Sequence, residues 1–274
     1  MASVIGGYLM EHGNLHVLFQ PAEVVIIFGA ATGSFLIASP SKVVSLVVKN
    51  AAAIFRGGGT NKTSYLEILS LLNLIFTKIR KEGLISIESD IEAPAQSPMF
   101  SNYKSVVSNR HALDFICDNL KVMITTNMPP HELDSLMEID IEASQHEEMV
   151  PSLSINKIAD ALPGLGIVAA VLGVVLTMGK IDQPPAVLGE SIGAALVGTF
   201  LGVLMCYGFV GPMATNLEHQ AKEKEIYASV IRTALVAFVG GAAPQMSVES
   251  GRRAIPGHDR PSFAELEDAL RRKP

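Results

Sequence analysis

The side chains that usually carry covalent chemistry are present in this sequence but are not arranged for it. His131-Glu132 and His146-Glu147 each lack the second histidine, one helical turn on, that would complete a zinc pair. Residues 164–169, GLGIVA, copy the spacing of the dinucleotide fingerprint, but no strand precedes them and they sit in an uncharged apolar run. Gly57-Gly58-Gly59 lacks the Lys-Ser/Thr that completes a phosphate loop and reads as a linker. Cys117 and Cys206 lie far apart in the chain, form no metal or redox pattern, and read as ordinary buried thiols. No Ser/His/Asp set stands out. Enzyme chemistry is not indicated, and no cofactor or metal is expected.

What remains is a set of small, polar or bent positions inside apolar runs. Thr199 lies in mid-run, Thr32 in another run and Thr177 near a run's end, and such hydroxyls most often bond their own helix backbone. Gly29/Gly33, Gly189/Gly193 and Gly198/Gly202 are i, i+4 pairs, extended by Ala169/Gly173, and let helix backbones approach closely in lipid. They serve packing within one subunit or against further copies or a partner. Pro163 falls in the first turn of its run, which fits helix-start punctuation. Pro212 falls inside an otherwise continuous pattern and reads as a hinge or a boundary. No ionisable side chain sits deep in any run; Asp160 and Glu190 stand at the margins. Moving protons across a bilayer usually needs such a group in mid-membrane. If this chain helps to move ions, the titrating group must come from another polypeptide. Arg80 and Glu88 flank a helix break at residues 82–83 and by pattern alone are surface charges.

The elements that must hold these positions follow from composition and periodicity. Of the 274 residues 49% are hydrophobic and only 18% charged, and the apolar ones bunch into uncharged runs, as in a membrane protein. The net charge of −6 gives no sign of nucleic-acid binding. Residues 161–179 and 191–217 are each long enough, at ~1.5 Å per residue, to cross a hydrocarbon core of ~30 Å. Residues 24–41 span with little to spare, ended by Pro40. Residues 1–10 are apolar but too short, so either the start lies upstream or the segment inserts only partly. No basic stretch precedes them, so a cleaved signal peptide is not expected.

Between the runs, residues 42–157 are polar and helical in period. Leu66, Leu69, Leu72, Ile75, Phe76 and Ile79 make one apolar stripe, and residues 103–124 make another. Residues 85–98 are acidic and broken by prolines. Pro129-Pro130 starts a helix that is expected to end in the acidic stretch 138–148. The last long run is expected to continue as a helix through residue 239, and residues 263–272 to form a short charged helix. Every Lys and Arg except Lys180 lies in the 42–157 block or after residue 217, which places both on the cytoplasmic side.

Four stretches, QPAEVVIIFGAATGSF (20–35), LPGLGIVAAVLGVV (162–175), VGTFLGVLMCYGFVGPMA (197–214) and RPSFAELE (260–267), resemble the MotA family of flagellar motor stator proteins, in the wider group with TolQ and ExbB. The likeness covers essentially the whole chain. The family's first span is longer, so this chain looks clipped at its N-terminus. The resemblance implies a ring of five copies around a MotB dimer, whose membrane helix supplies the proton-accepting aspartate. It implies that Pro163 and Pro212 couple proton movement to conformational change and that Arg80 and Glu88 engage the rotor switch protein FliG. It places Thr199 near the ion site and Ala170 where sodium-driven relatives carry threonine, which points to protons as the coupling ion.

The expected fold is all-α: a polytopic membrane protein with four transmembrane helices, a helical cytoplasmic domain and both ends cytoplasmic, in the bacterial inner membrane. The expected division is a first hairpin at 1–41, a cytoplasmic domain at 42–157, a second hairpin at 158–217 and a helical extension and tail at 218–274. The expected function is that of a flagellar stator subunit forming a proton channel with MotB. The alternatives are a TolQ/ExbB-type energiser of a periplasmic protein and a non-conducting scaffold.

Overall fold

The computed structural model describes residues 2–54, 59–126 and 128–271, and its regular elements among them are all helical. Gly57 and Gly58 of the expected linker and Arg272 of the expected last helix lie outside the described residues. In chain order the helices are α1 (Ala2–Met10), α2 (Leu15–Leu18), α3 (Pro21–Ala38), α4 (Ser41–Ile54), α5 (Lys62–Glu82), α6 (Glu88–Glu92), α7 (Pro98–Ser101), α8 (Lys104–Ser108), α9 (Arg110–Thr125), α10 (Pro130–Met178), α11 (Pro185–Met205), α12 (Gly211–Val239), α13 (Pro244–Ala254) and α14 (Phe263–Arg271). A 3-10 turn, Leu84–Ile87, follows α5, and a π-helical stretch, Cys206–Val210, joins α11 to α12. The chain forms two compact units, residues 1–57 with 148–219 and residues 58–147 with 220–274.

The first unit is apolar and thinly packed. Pro21 opens α3 at its first position, and Pro40 forces Ser39 into an extended conformation (φ −122°, ψ 130°), which stops it. Its cores are small: Ile27 and Ala31 of α3 meet Ala159, Leu162 and Ala169 of α10, and Val47 meets Ile155, Ala214 and Leu217. Much of α10 stays bare. Ile167, Val168, Val171, Leu172, Val175 and Leu176 are all about half exposed or more, an apolar face that water would not tolerate and that lipid or further chains must cover. Three helical stretches are long and apolar enough to cross a membrane: Leu15–Ala38, Pro130–Met178 and Pro185–Val239. The helix Ala2–Met10, nine residues long, is too short to be a fourth crossing by itself.

The second unit has a dense core with α5 at its centre. Asn61 caps α5 by accepting from Ser64 N–H, and Gly83 ends it at φ 89°, which an L side chain rarely adopts. Of the stripe, Leu69, Leu72, Ile75 and Phe76 are buried and Leu66 and Ile79 half-buried, while Tyr65, Ile68 and Leu71 outside it are buried as well. Phe76 stacks on Phe238 with ring centroids 4.3 Å apart, and truncating such a side chain costs about 3–5 kcal/mol.

Two boundaries differ from the sequence reading. Residues 103–124 are two helices, because Asn109 leaves the helical conformation and caps α9 through Ala112 N–H. The helix opened by Pro130 does not end in the acidic stretch but runs 49 residues to Met178. Acidic residues on a solvated face do not break a helix, and even Pro151 and Pro163, which each lack an N–H, are absorbed within it.

Candidate functional site

In the first unit α10 and α11 approach at backbone distance. A Cβ added to Gly166 would stand 2.7 Å from Gly198 O, and one added to Gly202 would stand 2.5 Å from Leu162 O and 3.0 Å from Gly166 Cα. No side chain intervenes, so the two main chains touch. Ala170 N lies 3.2 Å from the point a Gly198 Cβ would occupy, and Thr199 Cα 3.3 Å from that of Gly166. The crossing therefore brings Ala170 and Thr199 to one place, as partly exposed small groups on a wall otherwise of glycine and apolar residues. Gly166 completes this crossing and was not among the paired glycines in the sequence; only its spacing from Leu162, one turn earlier, hints at it.

Of the other i, i+4 pairs, Gly29, Gly33 and Gly189 would meet nothing within 4 Å, and Gly193 only Val17. Their small faces are open within this chain, whereas Gly198/Gly202 is used inside it.

Pro163 is not helix-start punctuation, because α10 begins more than eight turns earlier. Lacking an N–H, Pro163 leaves the carbonyl of Ala159 without its usual helical donor, about two turns before Gly166 of the Gly166–Gly202 contact. Pro212 also lies within continuing helix. The preceding Cys206–Val210 turn widens to π geometry, with Gly211 N–H donating to Cys206 O, so the local rewinding absorbs the proline without breaking the helix. Ser152, which neighbours Pro151, donates from Oγ to Ala214 O (2.8 Å) in a buried link between α10 and α12.

No ionisable side chain lies deep in a run, but one at a run's edge is buried. Glu23 lies in the first turn of α3 and is 8% exposed, and its Oε2 is fully buried with no hydrogen-bond partner among the described residues. The uncharged run starts at Val24, but the helix starts at Pro21, so the run's edge is not the edge of packing.

In the second unit Arg80 and Glu88 stand on either side of the Gly83 turn, both exposed. Arg80 does more than present charge. Its Nη2 donates to Gly241 O (2.8 Å) and Ala242 O (3.0 Å), and its guanidinium lies 6.0 Å over the Phe238 ring. Those carbonyls belong to the Schellman turn that closes α12, in which Gly241 (φ 95°) permits Ala242 N–H to reach Ala237 O. Glu88 opens α6, which is anchored by Asp90 to Lys78 Nζ (2.8 Å) and Ser97 Oγ (2.6 Å). Burial works to raise the Asp90 carboxyl's pKa, but the bonds from Ser97 and Lys78 outweigh it and hold the pKa below its ordinary value. The tail docks through a capping box at α14: Ser262 N–H donates to Glu265 Oε2 (2.6 Å), Glu265 N–H donates to Ser262 Oγ, and Lys62 reaches Glu265 Oε1 (2.6 Å). The Lys62 bond and then the Ser262 amide hold the Glu265 carboxyl down at about 2. Among the described residues no cluster of His, Cys, Asp and Glu could hold a metal.

Residues 1–83 match the family described as Motility protein A N-terminal, and residues 108–230 the MotA/TolQ/ExbB proton channel family. Motility protein A of Escherichia coli is 41% identical over 271 residues, covering 99% of this chain and 92% of the relative. Chemotaxis protein LafT of Vibrio parahaemolyticus is 38% identical, covering 98% of this chain and 95% of the relative. In fold the chain is similar to a chain of the C. jejuni MotAB structure (TM-score 0.79, 19% identity, 96% and 94% covered) and of the Bacillus subtilis flagellar MotAB stator complex (TM-score 0.78, 22% identity, 96% and 95% covered). With its membrane-length apolar helices and kinship along nearly its whole length, the chain belongs to the motility protein A family, within the MotA/TolQ/ExbB proton channel family.

Proposed function

We propose that this chain is the stator subunit of a flagellar motor, a multi-pass inner-membrane protein that forms a proton channel with MotB and turns proton flow into torque. The observation that carries this reading is the 41% identity to motility protein A along 99% of the chain. The family is one of channel and stator components and not of enzymes. Protons are the coupling ion, and no cofactor takes part. Four crossings place both ends in the cytoplasm, with Ala2–Met10 belonging to the first. Five copies surround the partner's helices, covering the bare apolar face of α10.

In this reading the α10–α11 crossing is a wall of the proton path. Ala170 and Thr199 face the partner's carboxylate, and the aliphatic Ala170 withholds the hydroxyl that would help to strip water from sodium. Pro163 and Pro212 are the joints about which the helices shift as that carboxylate loads and unloads. Each proton makes roughly 2.3 kcal/mol available per 100 mV, so torque accumulates over many small steps. Arg80 and Glu88 meet FliG on the exposed edge around the Gly83 turn, the Schellman turn behind Arg80 holding it rigid.

The test is deletion of the gene with restoration by a plasmid copy, scored for swimming and for envelope integrity. Loss of swimming with an intact envelope is expected. Envelope leakage or failed siderophore uptake with normal swimming would replace the motor by an energiser of a periplasmic protein. Proton flux into vesicles holding this chain and MotB, absent from empty vesicles, separates a channel from a scaffold.

A further inference from the structure

Glu23 has no role in the mechanism above, and its setting is unusual for a carboxyl. The side chain lies in a trough created by missing Cβ atoms. Its Oε2 stands 2.6 Å from where a Gly198 Cβ would be, and its Oε1 3.7 Å from where a Gly173 Cβ would be, with Ala195 beside them. Any larger residue at 198 would occupy the carboxyl's place. The trough supplies no donor, and Oε2 is sealed without a partner. The helices packed around it bring His16 on α2, Glu190 on α11 and Asp160 on α10. Glu190 is about 12 Å and Asp160 about 20 Å along their helices from Gly198 and Gly173 at ~1.5 Å per residue, and among the described residues none of the three hydrogen-bonds to Glu23 Oε2.

A bare carboxylate in such a place would carry a large desolvation cost with no compensating bond, whereas the neutral acid is far cheaper to bury. We propose that Glu23 is a proton-binding site of this chain itself: the carboxylic acid lies in the Gly173–Gly198 trough, and its deprotonated form leaves the trough and loosens α3 from α11. In the releasing step the carboxyl O–H bond breaks, its electron pair stays on oxygen, and the proton passes to water entering beside α3. The reverse step re-forms the O–H bond and closes the contact. The site lies within one packed subunit and is separate from the carboxylate that MotB brings. Since Glu23 is in the first turn of its helix, on the side of the Glu190 end of α11, it stands toward one mouth of the proton path. The inference rests on the membrane placement of α3 but not on coupling to a rotor.

Infrared difference spectroscopy of the complete complex in lipid vesicles, with MotB present throughout, tests it. Wild type at neutral pH is expected to show a deuterium-sensitive carboxylic C=O band that Glu23→Gln lacks, corresponding to one protonated carboxyl per chain, and that fades as pH is raised. Glu23→Gln keeps the shape of the neutral acid, so the ring should assemble unchanged. Glu23→Asp should retain a band at a displaced frequency, which a merely structural lesion would not produce. Superimposable carboxylic bands in wild type and Glu23→Gln would overturn the proposal. Spectroscopy reads occupancy without rotation, so a complex that shows the band but drives no swimming counts against the motor and not against the site.

Discussion

The contact between α10 and α11 makes Gly202→Ala the most informative single substitution. The new methyl would lie 2.5 Å from Leu162 O, 3.0 Å from Gly166 Cα and 3.3 Å from Gly166 N, all main-chain atoms. No rotamer change relieves such contacts; the helices must part by about 1 Å, and over-packing of this kind costs about 1–3 kcal/mol. Against this, alanine gains about 1 kcal/mol of helix propensity over glycine. The net at position 202 is a loss of up to about 2 kcal/mol. At Gly33 an added Cβ meets nothing of this chain within 4 Å, so within the subunit only the propensity gain of about 1 kcal/mol is left. The two substitutions are identical in chemistry and in sequence pattern, so any difference reports the backbone contact. Thermal unfolding of the purified complex in one detergent should put Gly202→Ala several degrees below Gly33→Ala. Swimming speed should fall with it, because parting the helices displaces Ala170 and Thr199. A Gly202→Ala complex melting at or above Gly33→Ala would refute the crossing.

Four further outcomes are expected. Arg80→Lys keeps the charge but loses the fork that holds Gly241 O and Ala242 O, so hydrogen exchange at amides 240–243 should speed up, at a cost of about 1 kcal/mol. Glu88→Lys should reduce swimming yet leave exchange at those amides unchanged, since the bonds that hold that turn come from Arg80 and not from Glu88, and a compensating reversal on FliG should restore part of the motility. The Glu265 carboxyl is held at about 2, below the ordinary 4.5, so its contribution to docking α14 is complete above the ordinary value and is lost as pH falls from there toward about 2. Proteolysis of the tail should accelerate over that window, and Glu265→Gln should remove the dependence. Ala170→Thr should leave swimming dependent on protons in sodium-free medium, because one hydroxyl does not make a sodium site.

Helical class and the apolar faces of the second unit were legible because that unit is wet on one side. Leu69, Leu72 and Phe76 recur at helical spacing, and the structure buries them. The tail was legible only as a short charged helix; the Ser262–Glu265 box and its bond to Lys62 came from the structure. In the first unit the same logic has less to work on. When both core and surroundings are apolar, periodicity cannot say which face of α10 meets α11 and which meets lipid. Gly33 and Gly202 look alike in the sequence and differ only in what stands opposite them. Arg80 shows the limit from another side: its clamp on the turn after α12 joins residues far apart in the chain, and no local pattern announces it.

The sequence reading places boundaries where charge begins or ends, and at three positions the structure places them elsewhere for one reason. The acidic stretch before residue 148 does not stop α10, Pro163 does not start it, and Val24 is not where α3 begins to pack. A helix ends where its backbone loses donors or caps, whatever the polarity of its side chains. An uncharged run marks preference for lipid, and a helix marks continuity of hydrogen bonding. Where the two edges differ by a turn, a polar side chain is carried into an apolar setting by the helix that bears it. At Glu190 and Asp160 that side chain stays exposed. At Glu23 the neighbouring helix offers glycine where a side chain would have pushed it out, so the carboxyl is buried. The uncharged runs alone leave every titrating group to the partner, and the offset between run and helix is what returns one to this chain.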